Sequence, residues 1–120
     1  RSQDGITVAS VGIIPQEDRD VVAMIAEKLL DEKSIDTVYA FGISQDHIDV
    51  SIRTRDDTFD YKKLNLLFPE CNGNCGGRDY AGGMKIPNQF KEGFVPIKHN
   101  GNQSTIEKMI FETFTKRILD

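Results

Sequence analysis

The sequence predicts an α/β domain with a mixed sheet of about four or five strands flanked by helices. Three stretches carry that prediction. Residues 36–43 (DTVYAFGI) are apolar, aromatic or β-branched at both parities, the pattern of a strand covered on both faces. Ile48, Val50 and Ile52 alternate with Asp49, Ser51 and Arg53, the pattern of a strand with one buried and one open face. Val22, Ile25, Ala26 and Leu29 recur at helical spacing and supply a layer to cover the sheet.

In chain order, residues 6–11 (ITVASV) alternate apolar with small side chains and run into Gly12-Ile13-Ile14-Pro15, a strand followed by a turn. Pro15 opens a helix expected over residues 16–32, with Glu17 and Asp18 in the first turn, where the helix dipole favours acids. The doubly apolar strand belongs at the centre of the sheet. Ser44-Gln45-Asp46-His47 reads as a hairpin connection into the alternating strand. On that strand Ser51, Arg53 and, if it continues, Arg55 line one surface at intervals of about 7 Å. Tyr61, Leu64 and Phe68 form a short helical pattern before Pro69. Residues 71–83 follow as a loop in which five of thirteen residues are glycine, then a short strand at Met84-Lys85-Ile86 and a turn-rich connection over 87–102. Ser104-x-x-Glu107 is a capping-box pattern ahead of a last helix bearing Ile106, Met109, Ile110, Phe114 and Ile118.

A chain of 120 residues with 38% hydrophobic and 28% charged content forms one domain, residues 1–120, and is not of disordered or low-complexity type. A net charge of −4 argues against coating nucleic acid by bulk electrostatics. Residues 53–98 nevertheless hold eight Lys and Arg against six Asp and Glu, so an anion site is expected there. The longest apolar run, residues 21–26, falls far short of the roughly 20 residues that cross a bilayer, and no signal pattern opens the chain. With only Cys71 and Cys75 there is no disulfide framework, which favours a reducing, cytoplasmic compartment. Arg1 in place of Met suggests a piece of a longer protein.

Consecutive glycines let a backbone reach φ > 0 and bring its amides close to an anion, and Arg78 would add a guanidinium fork suited to phosphate oxygens. The same residues also read as an exposed loop whose glycines only make tight turns. A basic strand ahead of the segment shifts the balance towards a site. Val50-Ser51-Ile52-Arg53-Thr54, then a short helix, then Gly76-Gly77-Arg78-Asp79-Tyr80-Ala81-Gly82-Gly83 and Met84-Lys85-Ile86-Pro87 resembles the DHH-associated C-terminal domain of DHH-family phosphoesterases. That family includes single-strand exonucleases, oligoribonucleases, nucleotide phosphatases and cyclic-dinucleotide phosphodiesterases. Its pattern is a strand close to V-S-L-R-S and a loop close to G-G-G-H-x-x-A-A-G. Here Arg78 stands where the pattern has histidine and Gly82 replaces the second alanine, a form similar to a subgroup with GGR in place of GGGH. The similarity covers nearly the whole chain.

The resemblance implies a substrate-binding domain whose partner is an N-terminal DHH catalytic domain of the same polypeptide. There a pair of divalent metals, usually manganese, activates water against a phosphoester. It implies phosphate contacts from Arg53 and Arg78 with Gly76 and Gly77 as backbone partners, a ligand that is a nucleotide or single-stranded nucleic acid, and no catalytic residue, metal or cofactor in this chain. A guanidinium in place of an imidazole would make phosphate binding less sensitive to pH. The two histidines, His47 and His99, fall in expected loops with no aspartate cluster beside them.

The remaining candidates are weaker. Cys71 and Cys75 form a C-x3-C pair, but a structural zinc site wants four ligands, and free thiols are favoured over a local disulfide. Ser51 has no base near it in sequence and reads as a polar strand residue or an accessory contact. Tyr80 either stacks on a base or packs under its own loop. Lys62, Lys63 and Lys85 extend a basic rim or are a solvated face. Arg55 either contacts phosphate or pairs with Asp56 or Asp57. The competing functional reading is a regulatory or protein-interaction α/β domain without phosphate affinity, in which Arg53 makes an ordinary surface salt bridge. Homodimer formation stays open.

Overall fold

In a computed structural model every residue of β3 (Thr37–Ile43) is buried, as its apolar character at both parities demands. The structure describes residues 2–3, 5–15, 18, 20–44, 47–87 and 103–119, with side chains for all of these except 2, 3 and 103–106. The other elements are β1 (Ser2–Gln3), β2 (Ile6–Ile13), α1 (Asp20–Leu30), β4 (His47–Thr54), α2 (Lys63–Leu67), β5 (Cys75–Arg78), β6 (Ala81–Pro87) and α3 (Gln103–Leu119). A single 3-10 turn, Pro69–Cys71, follows α2. The sheet runs β1-β2-β3-β4-β6-β5, with β2 and β3 parallel and every other pair antiparallel. The mixed α/β prediction holds. Six strands exceed the expected number because β1 is only two residues long and because the glycine segment is itself a strand pair.

Two apolar layers sandwich the sheet. On one face Val22 and Ala26 of α1 meet Ile35, Val38 and Ala40. A Cβ at Gly42 would lie 2.7 Å from Ile14 Cδ1 and 2.8 Å from Val22 Cγ2, so the bare backbone there lets α1 rest close on β3. On the other face Phe114 of α3 stacks against Phe41 and Phe68 with ring centroids 4.7 and 4.8 Å away. Tyr39, Ile48, Val50, Ile52, Met84 and Ile86 complete that layer. Arg117 fastens α3 to the 3-10 turn with paired bonds of 2.7 and 2.8 Å to the Glu70 carboxylate.

Several boundaries differ from the sequence reading. Helix α1 begins at Asp20, not at residue 16, because the Asp18 amide first closes a turn onto Pro15 O at 2.9 Å; Glu17 lies outside the described residues. Gln103 already belongs to α3, so Ser104 lies inside the helix. The Glu107 carboxylate accepts a 2.7 Å bond from Ser10 Oγ, tying α3 to β2. His47 is a buried residue of β4 and not part of a loop. His99 and the connection over 88–102 lie outside the described residues. Among the described residues no helix is long and apolar enough to cross a membrane.

Candidate functional site

The glycine segment, expected as a loop, is a hairpin. Strands β5 and β6 pair antiparallel around Asp79 and Tyr80, with Asp79 at φ +57° in the tight turn. Glycines were needed here for two unlike reasons. Gly77 and Gly82 face each other beneath the Tyr61 ring, and a Cβ on Gly82 would come within 2.3 Å of Tyr61 Cε1. Tyr61 fills that space and donates its hydroxyl to Asp79 O at 3.2 Å, so it is Tyr61 that packs under the hairpin. Tyr80 stays 53% exposed at the tip, with its ring accessible to a ligand. On the opposite face Gly76 and Gly83 pair in register, and no atom lies within 4 Å of where a Gly76 Cβ would sit.

Register brings the two expected arginines together. Arg53 of β4 pairs with Ala81 of β6, and Ala81 pairs with Arg78 of β5. Cross-strand partners present their side chains to the same face, so Arg53 and Arg78 flank Ala81 with Cα atoms about 10 Å apart, two strand spacings. The next row holds Ser51, Gly83 and Gly76, and the row after it Asp49 and Lys85. This face of β4, β6 and β5 is the one that carries α1 further along the sheet, and α1 forms its wall. A cavity of ≈ 420 Å³ lies there, lined by Asp20 and Ala23 of α1 and by Asp49, Ser51, Asn74, Gly83 and Lys85 among others. The arginine row borders this cavity on one side.

The two guanidinium groups differ in freedom. Arg53 is held by Nη1 bonds to Ile52 O at 2.9 Å and Gly82 O at 3.3 Å, while its Nε reaches Glu27 Oε1 at 3.3 Å. That arrangement leaves Nη2 to donate to a ligand. Arg78 is exposed, and its side chain makes no hydrogen bond or ion pair to a described residue. The Tyr61 phenol is raised by burial, with the Arg53 guanidinium acting in the opposite direction.

Other expectations are corrected. Strand β4 ends at Thr54, so Arg55 does not continue the Ser51–Arg53 surface. Its guanidinium turns to the end of α1, donating to the helix-terminal carbonyl of Leu30 and, at 3.1 Å, to Ile35 O in the connection that follows. The pictured nest of glycine amides is absent as well. The Lys85 amide bonds Asn74 O at 2.9 Å, which fixes the alternation of the β5–β6 ladder. Gly76 is therefore paired within the ladder, and only the Gly77 amide points to the free edge of the sheet. Cys71 is buried and Cys75 half-buried, both as free thiols, with Cys71 Sγ near Asn65 Oδ1 at 3.4 Å. Lys63 lies over the Phe59 ring at 4.3 Å, away from the arginine row. Among the described residues no group of three or more His, Cys, Asp or Glu is placed to hold a metal ion.

Sequence reasoning did not single out Glu27, Asp49 or His47. Asp49 shares the parity of Ser51 and Arg53, so its face was readable, but a carboxylate argues against an anion site. Glu27 comes from another element and had no signal in the sequence.

The DHHA1 domain family matches residues 4–104. The chain belongs to that family. Among solved structures, this DHHA1 domain is similar to the C-Ala domain of Aquifex aeolicus alanyl-tRNA synthetase, at 16% identity over 88% of each chain with a TM-score of 0.50. That likeness is one of fold. A comparison with curated proteins finds no match.

Proposed function

We propose that this DHHA1 domain is the substrate-binding part of a longer metal-dependent phosphoesterase and grips a phosphate of a nucleotide or single-stranded nucleic acid. The observation that carries this reading is the in-register row Arg53–Ala81–Arg78 beside an open cleft. Two arginines on one face, with Cα atoms about two strand spacings apart, can take one phosphate between their guanidinium groups through charge-assisted bonds. Ser51, the free-edge Gly77 amide, the open surface at Gly76, Lys85 and the exposed Tyr80 ring are accessory contacts. Hydrolysis belongs to a DHH catalytic domain facing the cleft, where the metals would also sit, and the chain alone turns over nothing.

The test is titration of the chain with a short single-stranded oligonucleotide, in DNA and RNA forms. RNA is included because the similar fold is a domain of a tRNA synthetase. Arg53→Ala and Arg78→Ala should each weaken binding by about 1.5–3 kcal/mol. Wild-type affinity in both variants would overturn the reading. One observation favours the second reading, a protein-interaction domain without phosphate affinity: Arg53 already has a carboxylate partner in Glu27. Glu27 is 65% exposed, however, and an ion pair of that kind is easily displaced.

A further inference from the structure

The cleft changes character along its length. Just beyond one end of the cavity lining is the row of Arg53 and Arg78. In the middle, Ser51, Gly83 and Gly76 form a floor whose one side chain is the hydroxymethyl of Ser51, and that hydroxyl has no hydrogen bond to a described residue. At the other end Asp49 faces Lys85 in register, two rows or about 13 Å from Arg53 along β4.

Asp49 is not idle surface. Its side chain is only 16% exposed, and Oδ2 takes a 3.1 Å bond from His47 Nε2, itself on a buried side chain. An ionised carboxylate only accepts, so His47 must donate through Nε2, which fixes the orientation of Asp49 and leaves Oδ1 to a ligand. Lys85 is not ion-paired with it, so the row offers one charged acceptor and one charged donor side by side. Such a pair suits a neutral group that both gives and takes hydrogen bonds, and a phosphate would be repelled by Asp49. Asn74 adds an amide to the same lining.

We infer that the cavity between Ser51 and the Asp49–Lys85 row holds the sugar of a nucleotide whose phosphate sits on the arginines, with Asp49 accepting from ribose hydroxyls. This rests on the phosphate reading above and adds the ligand class: ribonucleotides over their deoxy counterparts. The cavity, at ≈ 420 Å³, is within the range of small-ligand sites. The carboxylate also limits what can follow, because a second phosphate directed down the cleft would meet Asp49.

The probes are adenosine 5′-monophosphate, its 2′,3′-dideoxy analogue and inorganic phosphate, titrated into the chain and followed by backbone amide chemical shifts. The wild type should bind the ribonucleotide about tenfold more tightly than the dideoxy form, the discrimination of one hydrogen bond to a charged group. In Asp49→Asn that ratio should fall below about threefold. The ratio is the readout, since removing a negative charge raises the affinity for both nucleotides together. Ala23→Leu, which fills the cavity from α1 without touching Asp49, should weaken nucleotide binding and spare inorganic phosphate; it serves where Asp49→Asn does not fold. An unchanged ratio in Asp49→Asn, or equal binding of both nucleotides by the wild type, overturns the inference while leaving the phosphate reading intact, provided that Arg53→Ala still weakens both. No binding of any probe by the wild type overturns both.

Discussion

Strands β4, β6 and β5 present two faces made from the same short stretches of chain, and the faces are opposites. One is filled: Val50, Ile52, Met84 and Ile86 lie under Phe114, Phe68 and Leu64, and the Gly77–Gly82 pair lies under Tyr61. The other is open: Ser51, Gly83 and Lys85 line a cleft, and Arg53 and Gly76 share their face. The difference is a period of two. A strand that must be core on one side has every second residue released for chemistry, and the rigidity of the packed side fixes the positions on the free side.

The sharpest way to break this contrast is by stability. Phe114→Ala removes a fully buried ring from between two others and should cost about 3–5 kcal/mol, whereas Arg78→Ala on the open face should stay within about 0.5 kcal/mol. Urea unfolding of both variants reads this directly, and equal losses would remove the distinction between the faces. Next in size is Gly82→Ala, expected to cost about 1–3 kcal/mol by overpacking against Tyr61. Combining it with Tyr61→Ala should give less than the sum of the two single losses, since the ring's part of the clash disappears and only Gly76 O, 2.7 Å away, is left. Additive losses would mean that Tyr61 is not what the glycine accommodates.

On the open face the expected effects are in binding. Glu27→Gln releases Arg53 from its exposed partner and should tighten binding of a phosphate-bearing oligonucleotide by about 0.2–1 kcal/mol. Weaker binding would show that Glu27 helps to hold the site. The smallest effect concerns pH. Burial, then the hydrogen bond and charge of neighbouring Cys71, push the Cys75 thiol from an ordinary 9.0 up to about 11. The folded thiol keeps its proton where the unfolded one loses it, so this contribution is complete below pH 9 and lost as pH rises towards 11. Cys75→Ser should flatten that part of the stability curve, measured as the urea midpoint at pH values of about 8 and 10.

Much of the architecture could be read from residue patterns, and the misses have physical causes. Residues 37–43 declared a central strand because both parities are apolar, and residues 48–52 declared their two faces by alternation. The hairpin of β5 and β6 stayed hidden because glycine has no side chain from which a period of two could be seen, and because the residue that seats it, Tyr61, lies in another part of the chain. The start of α1 was misjudged because Pro15 suits a first helical position and equally a preceding turn. Arg53 and Arg78 were singled out by type and motif, but their common row depends on the β4–β6 and β6–β5 registers. Arg55 was drawn into the surface by parity, which ceases to matter once the strand ends at Thr54.

The carbonyls of Ile52 and Gly82 anchor Arg53 before any ligand arrives, whereas the exposed Arg78 side chain has no partner among the described residues. One arginine is thus a fixed jaw and the other an unbraced one. A lysine has one nitrogen where arginine has three, so it cannot hold the two carbonyls as Nη1 does, reach Glu27 as Nε does and still present a separate Nη2 outward. The fixed jaw should tolerate that exchange poorly and the unbraced jaw well, so evolution has more latitude to retune this domain at its hairpin than at its central strands.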